Sequence, residues 1–226
     1  METSQQTRKL ESRQLSAILI LGLILQLAYF SVTGPTVRVH DIEGHLAYIR
    51  FIANSLSLPP ANYCWECVQP PGYYFLAAAF YRLMMTVGVR DLARGLQLFS
   101  LSIFFAYQWV GIKVICHYLS ERRARLLASA LLVFWPSGFL HSVRIGNDGL
   151  SYLFQALTLL FLLNWIQTKD EKWIWRASCI AGLGFLVKAT SMISAASQFF
   201  QKLSFLVREE GSLIQTCILS SGWGII

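Results

Sequence analysis

Charged residues are scarce in this chain: Asp, Glu, Lys and Arg make up 14% of its 226 residues, while 55% are hydrophobic. A water-soluble domain of this length would carry far more charge. The mean hydropathy is +0.49, and several apolar runs approach the ~20 residues with which a helix crosses a bilayer. The composition excludes an ordinary soluble domain and predicts an all-α polytopic membrane protein.

The chain also lacks Gly-rich or charge-run segments of low complexity, and it contains no obvious internal repeat. Its formal net charge is +7, but in a membrane protein Lys and Arg indicate orientation, since they collect on the cytoplasmic side. We therefore expect membrane lipids, and no nucleic acid, among its partners. The N-terminal apolar run has no small-residue cleavage site, which indicates a retained anchor rather than a removed signal peptide.

The first apolar run predicts the first transmembrane helix. Arg8, Lys9 and Arg13 precede it and place the N-terminus in the cytoplasm. The chain ends without a polar tail, and we expect one transmembrane module that is truncated at its C-terminus. This module of residues 1–226 is divided into a cytoplasmic tail at 1–14, the first span at 15–30, an outer loop with juxtamembrane helices at 31–92 and further spans at 93–226.

Residues 72–89 allow two topologies, because they are apolar but barely long enough to cross a membrane and carry Arg82 in their middle. If they cross, the basic cluster at 121–125 lies outside. If they form a juxtamembrane or re-entrant helix, that cluster lies inside with the other basic clusters, so we predict this second topology. The later spans then cover residues 93–118, 126–140, 150–167 and 173–187, with further segments at 192–207 and 213–226.

Ionisable side chains crowd residues 40–45 (HDIEGH), just after the first span. Such groups are costly at a membrane and mark functional sites. The apolar residues that follow recur at three- and four-residue steps, which predicts an amphipathic helix over residues 41–54 lying on the membrane surface. Asp41 shares another face with His45. One interpretation is that Asp41 has no role beyond capping the N-terminus of this helix. A cap does not explain Glu43 and both histidines, so the segment is a candidate site.

The predicted topology places five further polar residues at the outer face. Asn147 and Asp148 begin a helix, where capping explains them at least as well as function does. Lys188 ends an apolar helix, so it either snorkels to the headgroups or has an anionic partner such as a lipid phosphate. The role of Arg144, a basic residue in an outer loop, is ambiguous for the same reason. Gln69 directly precedes two prolines.

Five cysteines give an odd number, so at least one thiol is unpaired. Cys64 and Cys67 form a single CxxC pair, which is a weak metal signal because tetrahedral zinc usually needs four ligands. In an oxidising compartment a local disulfide is one alternative, and two free thiols are the other. Cys116, Cys179 and Cys217 lie in apolar segments and are interpreted as small hydrophobic residues.

Four segments occur in an order that resembles the GT-C membrane glycosyltransferases, in particular the protein O-mannosyltransferases and the aminoarabinose transferase of lipid A. They are HDIEGHLAYIR at 40–50, QPPGYYFLAAAFYRL at 69–83, SERRARLLASALLVFWPSGFLHSVRIGNDGL at 120–150 and AGLGFLVKATS at 181–191. Each motif alone is loose, and their shared order carries the resemblance. It implies a GT-C-like N-terminal transmembrane bundle with an outer-face loop that carries juxtamembrane helices.

The resemblance implies transfer of a sugar, with inversion, from a polyprenyl-phosphate donor to a glycan, lipid or protein acceptor at the non-cytosolic face. Asp41 would be the general base, with a pKa raised by partial desolvation. Glu43 would support it or bind the acceptor, and Asp148 would orient the acceptor or share a divalent ion. Lys188 and Arg144 would hold the donor phosphate.

The implied substrate-binding residues are His45, Gln69, Arg144, Asn147 and Lys188. Gln69 stands where the family usually has His or Lys, which would weaken a phosphate contact there. The sequence requires no cofactor, although a divalent cation would fit carboxylates beside histidine. We expect an integral multi-pass protein of a bacterial inner membrane or, alternatively, of the endoplasmic reticulum.

Two other functions remain open from the sequence. The chain could be a non-catalytic carrier or flippase component for a lipid-linked sugar, although transporters place ionisable groups near the midplane rather than in outer loops. It could also be an inactive, truncated copy of a transferase. Gln69 and the abrupt C-terminus keep this second alternative open.

Overall fold

A computed structural model of the chain describes residues 2–37 and 40–191. These residues form eight α-helices and a short 3₁₀ helix, Trp65–Val68, and they contain no β-strand. The predicted all-α fold is confirmed. The helices are α1 (Glu2–Val32), α2 (Ile42–Ser55), α3 (Gly72–Thr86), α4 (Leu92–Tyr118), α5 (Arg122–Phe134), α6 (Pro136–Ser142), α7 (Asp148–Thr168) and α8 (Glu171–Val187).

Three of the described helices are long and apolar enough to cross a membrane: α1 from Gln5, α4 and α7. The pair of α5 and α6 would make a fourth span if its two bent halves count as one. These helices confirm a polytopic membrane protein. The predicted segments at 192–207 and 213–226, and Cys217 with them, lie outside the described residues.

The polar N-terminal residues continue the first span as one helix. α1 begins at Glu2, so the segment predicted as a cytoplasmic tail is helical from residue 2 onward. Two contacts hold it against α5: Arg125 binds Glu11, with Nε 2.6 Å from Oε1, and Arg122 donates to Gln14 Oε1 at 2.6 Å. The tail is thus anchored at the start of α5.

The span predicted over residues 126–140 is broken in the structure. α5 ends at Phe134, α6 begins at Pro136, and their axes differ by 51°. Pro136 has no N–H to donate, and a proline disfavours the helical conformation in the residue before it. Trp135 accordingly has extended backbone angles of φ −61° and ψ 124°. Hydropathy does not indicate this break, because the apolar run is continuous.

The helix predicted on the membrane surface, α2, packs against the protein core. In α2 the apolar stripe and also His45 and Tyr48 are buried. The stripe packs against α3, which supplies the fully buried Tyr73 and Tyr74. α3 has 15 residues, too few to cross the ~30 Å hydrocarbon core at 1.5 Å per residue. This length supports the topology in which residues 72–89 do not cross.

Contacts between distant segments define two ends of the described bundle. The start of α2 and the junctions α6–α7 and α8–Lys188 lie at one end, which we call the site end. The starts of α1, α5 and α8 lie at the other, which we call the basic end. Between the ends, buried Gln26 of α1 donates to Gln108 of α4 at 3.1 Å, and Gln108 donates to the Val133 carbonyl of α5. Hydrogen bonds of this kind join helices within a bilayer.

We predict that the basic end faces the cytosol, because Lys and Arg concentrate there. In a chain whose native cysteines are replaced by serine, an impermeant thiol reagent added outside is expected to leave Arg123→Cys unlabelled and to label Asn62→Cys. Both positions are exposed, so accessibility within the fold does not separate them. Labelling of Arg123→Cys from outside would contradict the predicted orientation and place the basic end on the non-cytosolic side.

Candidate active site

Asp41 forms an ion pair with Arg144 at the site end. Both of its carboxylate oxygens lie 2.6 Å from Nη2 of Arg144. Asp41 occupies the N-cap position of α2, yet its side chain makes no capping hydrogen bond. The capping explanation therefore does not account for this carboxylate, and Arg144, which was ambiguous in the sequence, has its partner in the candidate site.

The pKa of Asp41 is shifted in the direction opposite to the sequence-based expectation. Partial burial does raise it, but the hydrogen bond from Arg144 and the charge interactions with His45 and Arg144 together outweigh burial, so the pKa lies below the ordinary value of 3.8. Asp41 is thus ionised at neutral pH and held by a guanidinium. A carboxylate with a lowered pKa is a weak base, so its basicity depends on where Arg144 is.

A second ion pair, between Asp148 and Lys188, joins two helix ends. Asp148 is the first residue of α7, and Lys188 directly follows α8. Nζ of Lys188 contacts Oδ1 of Asp148. The anionic partner expected for Lys188 is therefore a carboxylate of the chain rather than a lipid phosphate, and snorkelling does not explain this lysine.

Asn147 connects the α7 start to two other segments. Its side chain makes no capping hydrogen bond. Instead Nδ2 donates to the Val187 carbonyl at 3.2 Å and to Gln69 Oε1 at 3.4 Å. The Gln69 carbonyl in turn accepts a hydrogen bond from Tyr48 at 3.4 Å. Four segments that are distant in sequence thus meet through Asn147 and Gln69.

His45 is the buried neighbour of Asp41, one helical turn along α2. Its Nε2 lies 3.5 Å from Asp41 Oδ2, and its Nδ1 lies 2.8 Å from the Tyr74 hydroxyl. Burial lowers the pKa of His45 below 6.5 despite the nearby Asp41, so the imidazole is neutral at pH 7. A neutral ring satisfies both contacts when Tyr74 donates to Nδ1 and Nε2–H points to Asp41.

Glu66 is a site carboxylate that the sequence analysis missed. It lies in the 3₁₀ helix and is 7% exposed. Cys64 and Cys67, on either side of it, form a disulfide with a Cα–Cα distance of 5.1 Å, which settles the alternative left open for the CxxC pair. The available signal in the sequence was a glutamate inside a CxxC pair next to QPP.

Glu66 is packed closely against the start of α2. A Cβ added to Gly44 would lie 2.9 Å from Glu66 Cγ and 3.2 Å from its backbone nitrogen, so only glycine leaves room for this approach. Burial raises the pKa of Glu66 above 4.5, and the negative charge of Asp41 raises it further. The positive charges of Lys188 and Arg144 act in the opposite direction, so Glu66 lies within reach of both ion pairs.

Glu43 and His40 are not brought into this cluster. Both are exposed, and in the described part of the chain neither makes a hydrogen bond or ion pair with a cluster member. The helical period explains Glu43, because residues two apart point to opposite sides of a helix while residues four apart share a face. The structure therefore places Glu43 apart from the cluster, and its role stays a prediction; the carboxylate that lies near Asp41 is Glu66.

Comparison with protein families gives one match. The model of the family described as dolichyl-phosphate-mannose-protein mannosyltransferase matches residues 68–222, more than half of the chain. The chain belongs to this family. It is thereby a membrane glycosyltransferase of the GT-C type, which confirms the resemblance found in the sequence. Comparisons with curated proteins and with solved structures give no match.

The family match covers only part of the cluster. Gln69, Arg144, Asn147, Asp148 and Lys188 lie inside the matched range of this mannosyltransferase family. Asp41, His45 and Glu66 precede it. These three residues join the candidate site through geometry alone, by the contacts of Asp41 with Arg144 and by the charge interactions of Glu66 with Arg144 and Lys188.

Asp41, His45 and Glu66 could also hold a divalent cation. One ligand atom from each lies within 4.8 Å of the other two. Two carboxylates and one neutral imidazole are a donor set that suits several divalent metals. Arg144 already contacts both oxygens of Asp41, so a cation bound there would compete with the guanidinium.

Proposed function

We propose that the chain transfers a sugar from a polyprenyl-phosphate donor to an acceptor hydroxyl at the non-cytosolic membrane face, with Asp41 as general base. The observation that carries this proposal is the pairing of two cations with two carboxylates in one cluster. The side chains of Arg144–Asp41 and Lys188–Asp148 are 23–30% exposed, so the cluster is open to a ligand. A charged substrate can therefore exchange for an intramolecular partner.

The charge change in the reaction fits these cations. A polyprenyl-phosphate sugar is a phosphodiester with one negative charge, and the departing polyprenyl phosphate is a monoester that gains a second. Cations placed at the phosphate stabilise this leaving group more than the bound donor, which is the condition for catalysis. Arg144 and Lys188 serve this role, and Arg144 also offers the planar fork that suits phosphate oxygens.

Donor binding also activates the base. As Arg144 turns toward the phosphate, Asp41 loses the contact that lowers its pKa, and its carboxylate becomes a better proton acceptor. The acceptor oxygen then bonds to the anomeric carbon while the bond from that carbon to the phosphate oxygen breaks. The hydroxyl proton passes to Asp41, and Glu66 takes over the role first given to Glu43, binding the acceptor hydroxyl beside the base.

Two observations support placement of the reaction on the non-cytosolic side. The disulfide beside Glu66 belongs to an oxidising compartment, and such bonds are rare in the cytosol. The opposite end of the bundle carries the concentration of Lys and Arg that marks the cytoplasmic side. Together they favour a bacterial periplasmic face or an endoplasmic reticulum lumen.

Membranes carrying the chain, incubated with a labelled polyprenyl-phosphate sugar and candidate acceptors, test the proposal. A transferase consumes the donor, whereas a carrier moves it unchanged. We expect Arg144→Gln and Lys188→Gln each to reduce kcat/KM by about 100-fold, because each substitution removes one positive charge that stabilises the leaving phosphate.

The matched control for these two variants is Lys172→Gln. Lys172 lies at the other end of α8 and is 55% exposed beside Asp170, so its loss is expected to leave transfer unchanged. Wild-type donor consumption in both site variants would contradict the proposed phosphate contacts. Donor movement without consumption in the unaltered chain would favour the carrier function instead.

A further inference from the structure

A cavity of about 520 Å³ opens between α1, α4 and α5 at the basic end of the bundle. It lies at the opposite end from the candidate active site and shares no residue with it. Its lining combines charged and apolar side chains. These are Arg8, Glu11, Ser12, Leu15, Ser16, Leu19, Trp109, Ile112, Lys113, Cys116 and Arg125.

Positive charge exceeds negative charge around this cavity. Three cations and one carboxylate line it. Both oxygens of the Glu11 carboxylate contact Arg125, one at 2.6 Å from Nε and the other at 2.9 Å from Nη2. No described carboxylate pairs with Arg8 or with Lys113, whose ammonium group lies 3.6 Å from the centre of the Trp109 ring. The two unpaired cations leave the cavity suited to an anion.

The wall of the cavity selects an amphiphile rather than a free ion. Leu15, Leu19 and Ile112 contribute apolar side chains to the same lining. Lys113 is five residues from Tyr118, the last residue of α4, which is about 7.5 Å along the helix axis. A lysine this close to the end of a spanning helix extends its ammonium group toward the headgroups, and tryptophan is enriched at the same interface.

We propose that this cavity binds the phosphate of an anionic phospholipid from the leaflet at the basic end. Arg8 and Lys113 contact the phosphate, and Leu15, Leu19 and Ile112 contact the upper part of an acyl chain. Basic pockets between transmembrane helices on the cytoplasmic side are known to take anionic headgroups. A lipid bound there would fasten the helical N-terminal extension of α1 to α4 and α5. The proposal is independent of the sugar-transfer reaction.

The test uses the purified full chain in mixed micelles of detergent with phosphatidylglycerol or with phosphatidylcholine. Native mass spectrometry counts retained lipid, and thermal unfolding measures the effect on Tm. We expect phosphatidylglycerol, and not phosphatidylcholine, to be retained and to raise Tm. Arg8→Gln with Lys113→Gln is expected to weaken phosphatidylglycerol binding by roughly 30-fold, since each cation near the surface contributes a factor of about five.

The matched control is Arg123→Gln with Lys172→Gln, which removes the same charge from exposed positions at the same end but outside the cavity. It is expected to retain phosphatidylglycerol. An equal loss of phosphatidylglycerol binding in this control would mean that diffuse surface charge holds the lipid, and it would contradict the proposed binding in the cavity. Equal retention of phosphatidylcholine, or displacement of the lipid by inorganic phosphate at the same concentration, would also overturn the assignment. A monodisperse elution profile establishes that each variant is folded.

Discussion

Sugar transfer by the Asp41→Asn variant is expected to fall by a factor of about 10² to 10⁴, the usual contribution of a general base. Asparagine keeps the shape of the side chain and one carbonyl oxygen for Arg144, but it cannot accept the acceptor proton. The side chain of Asp41 is 24% exposed, so the unpaired guanidinium that the substitution leaves is partly hydrated and the chain still inserts and folds. The measurement is turnover of a labelled polyprenyl-phosphate sugar in membranes with matched amounts of protein.

Glu43→Gln is the control for this substitution. It removes a carboxylate two residues from Asp41 that is exposed and outside the cluster, so transfer is expected to stay at the wild-type level. Undiminished transfer by Asp41→Asn would remove Asp41 from the chemistry. Equal losses in the two variants would instead indicate that the segment needs negative charge without a specific base.

The second large effect is expected for Glu66→Gln, which lowers transfer by about tenfold or more while raising stability near pH 7. Burial raises the pKa of Glu66 above 4.5, so folding favours the protonated acid. The resulting stabilisation is complete below pH 4.5 and is lost as the pH rises through the raised pKa. At neutral pH the buried carboxylate is therefore unfavourable, and a neutral amide of the same shape relieves this cost.

Two measurements check the Glu66 prediction. A pH–rate profile of the wild type is expected to show an acid limb, because transfer requires the ionised carboxylate; the limb at the raised pKa is expected to be absent in Glu66→Gln. Thermal unfolding of Glu66→Gln at pH 7 is expected to give a Tm at least as high as that of the wild type. Reduced transfer accompanied by a lower Tm would point to a structural role in place of a chemical one.

The membrane class and the main spans could be predicted from the sequence because a bilayer imposes simple rules. A spanning helix must be long and apolar, and α4 and α7 lie close to the segments predicted from hydropathy alone. The distribution of basic residues predicted that residues 72–89 do not cross, and the 15 residues of α3 agree with this. Hydropathy gave no sign of the break at Trp135-Pro136, because hydropathy is continuous there and the break depends on backbone chemistry.

The candidate site was only partly predictable. Asp41, Asp148 and Lys188 were expected to converge, and the structure does bring the ion pairs of Asp41 and Lys188 within reach of Glu66. The partners of these residues were not foreseen. Whether an aspartate at a helix start caps that helix or pairs with a distant arginine depends on what a segment about a hundred residues away places beside it.

Hydropathy and the helical period predicted an all-helical membrane protein, and the resemblance carried by the order of a few motifs implied a glycosyltransferase of the GT-C type. Hydropathy and helical period act locally, since bilayer thickness and backbone geometry constrain each segment by itself. Only the tertiary structure decided that Glu66 rather than Glu43 accompanies Asp41, and that Arg144 reverses the pKa shift expected from burial. Packing and electrostatics between distant segments set these features, because the strength of a charge interaction depends on separation in space and on burial.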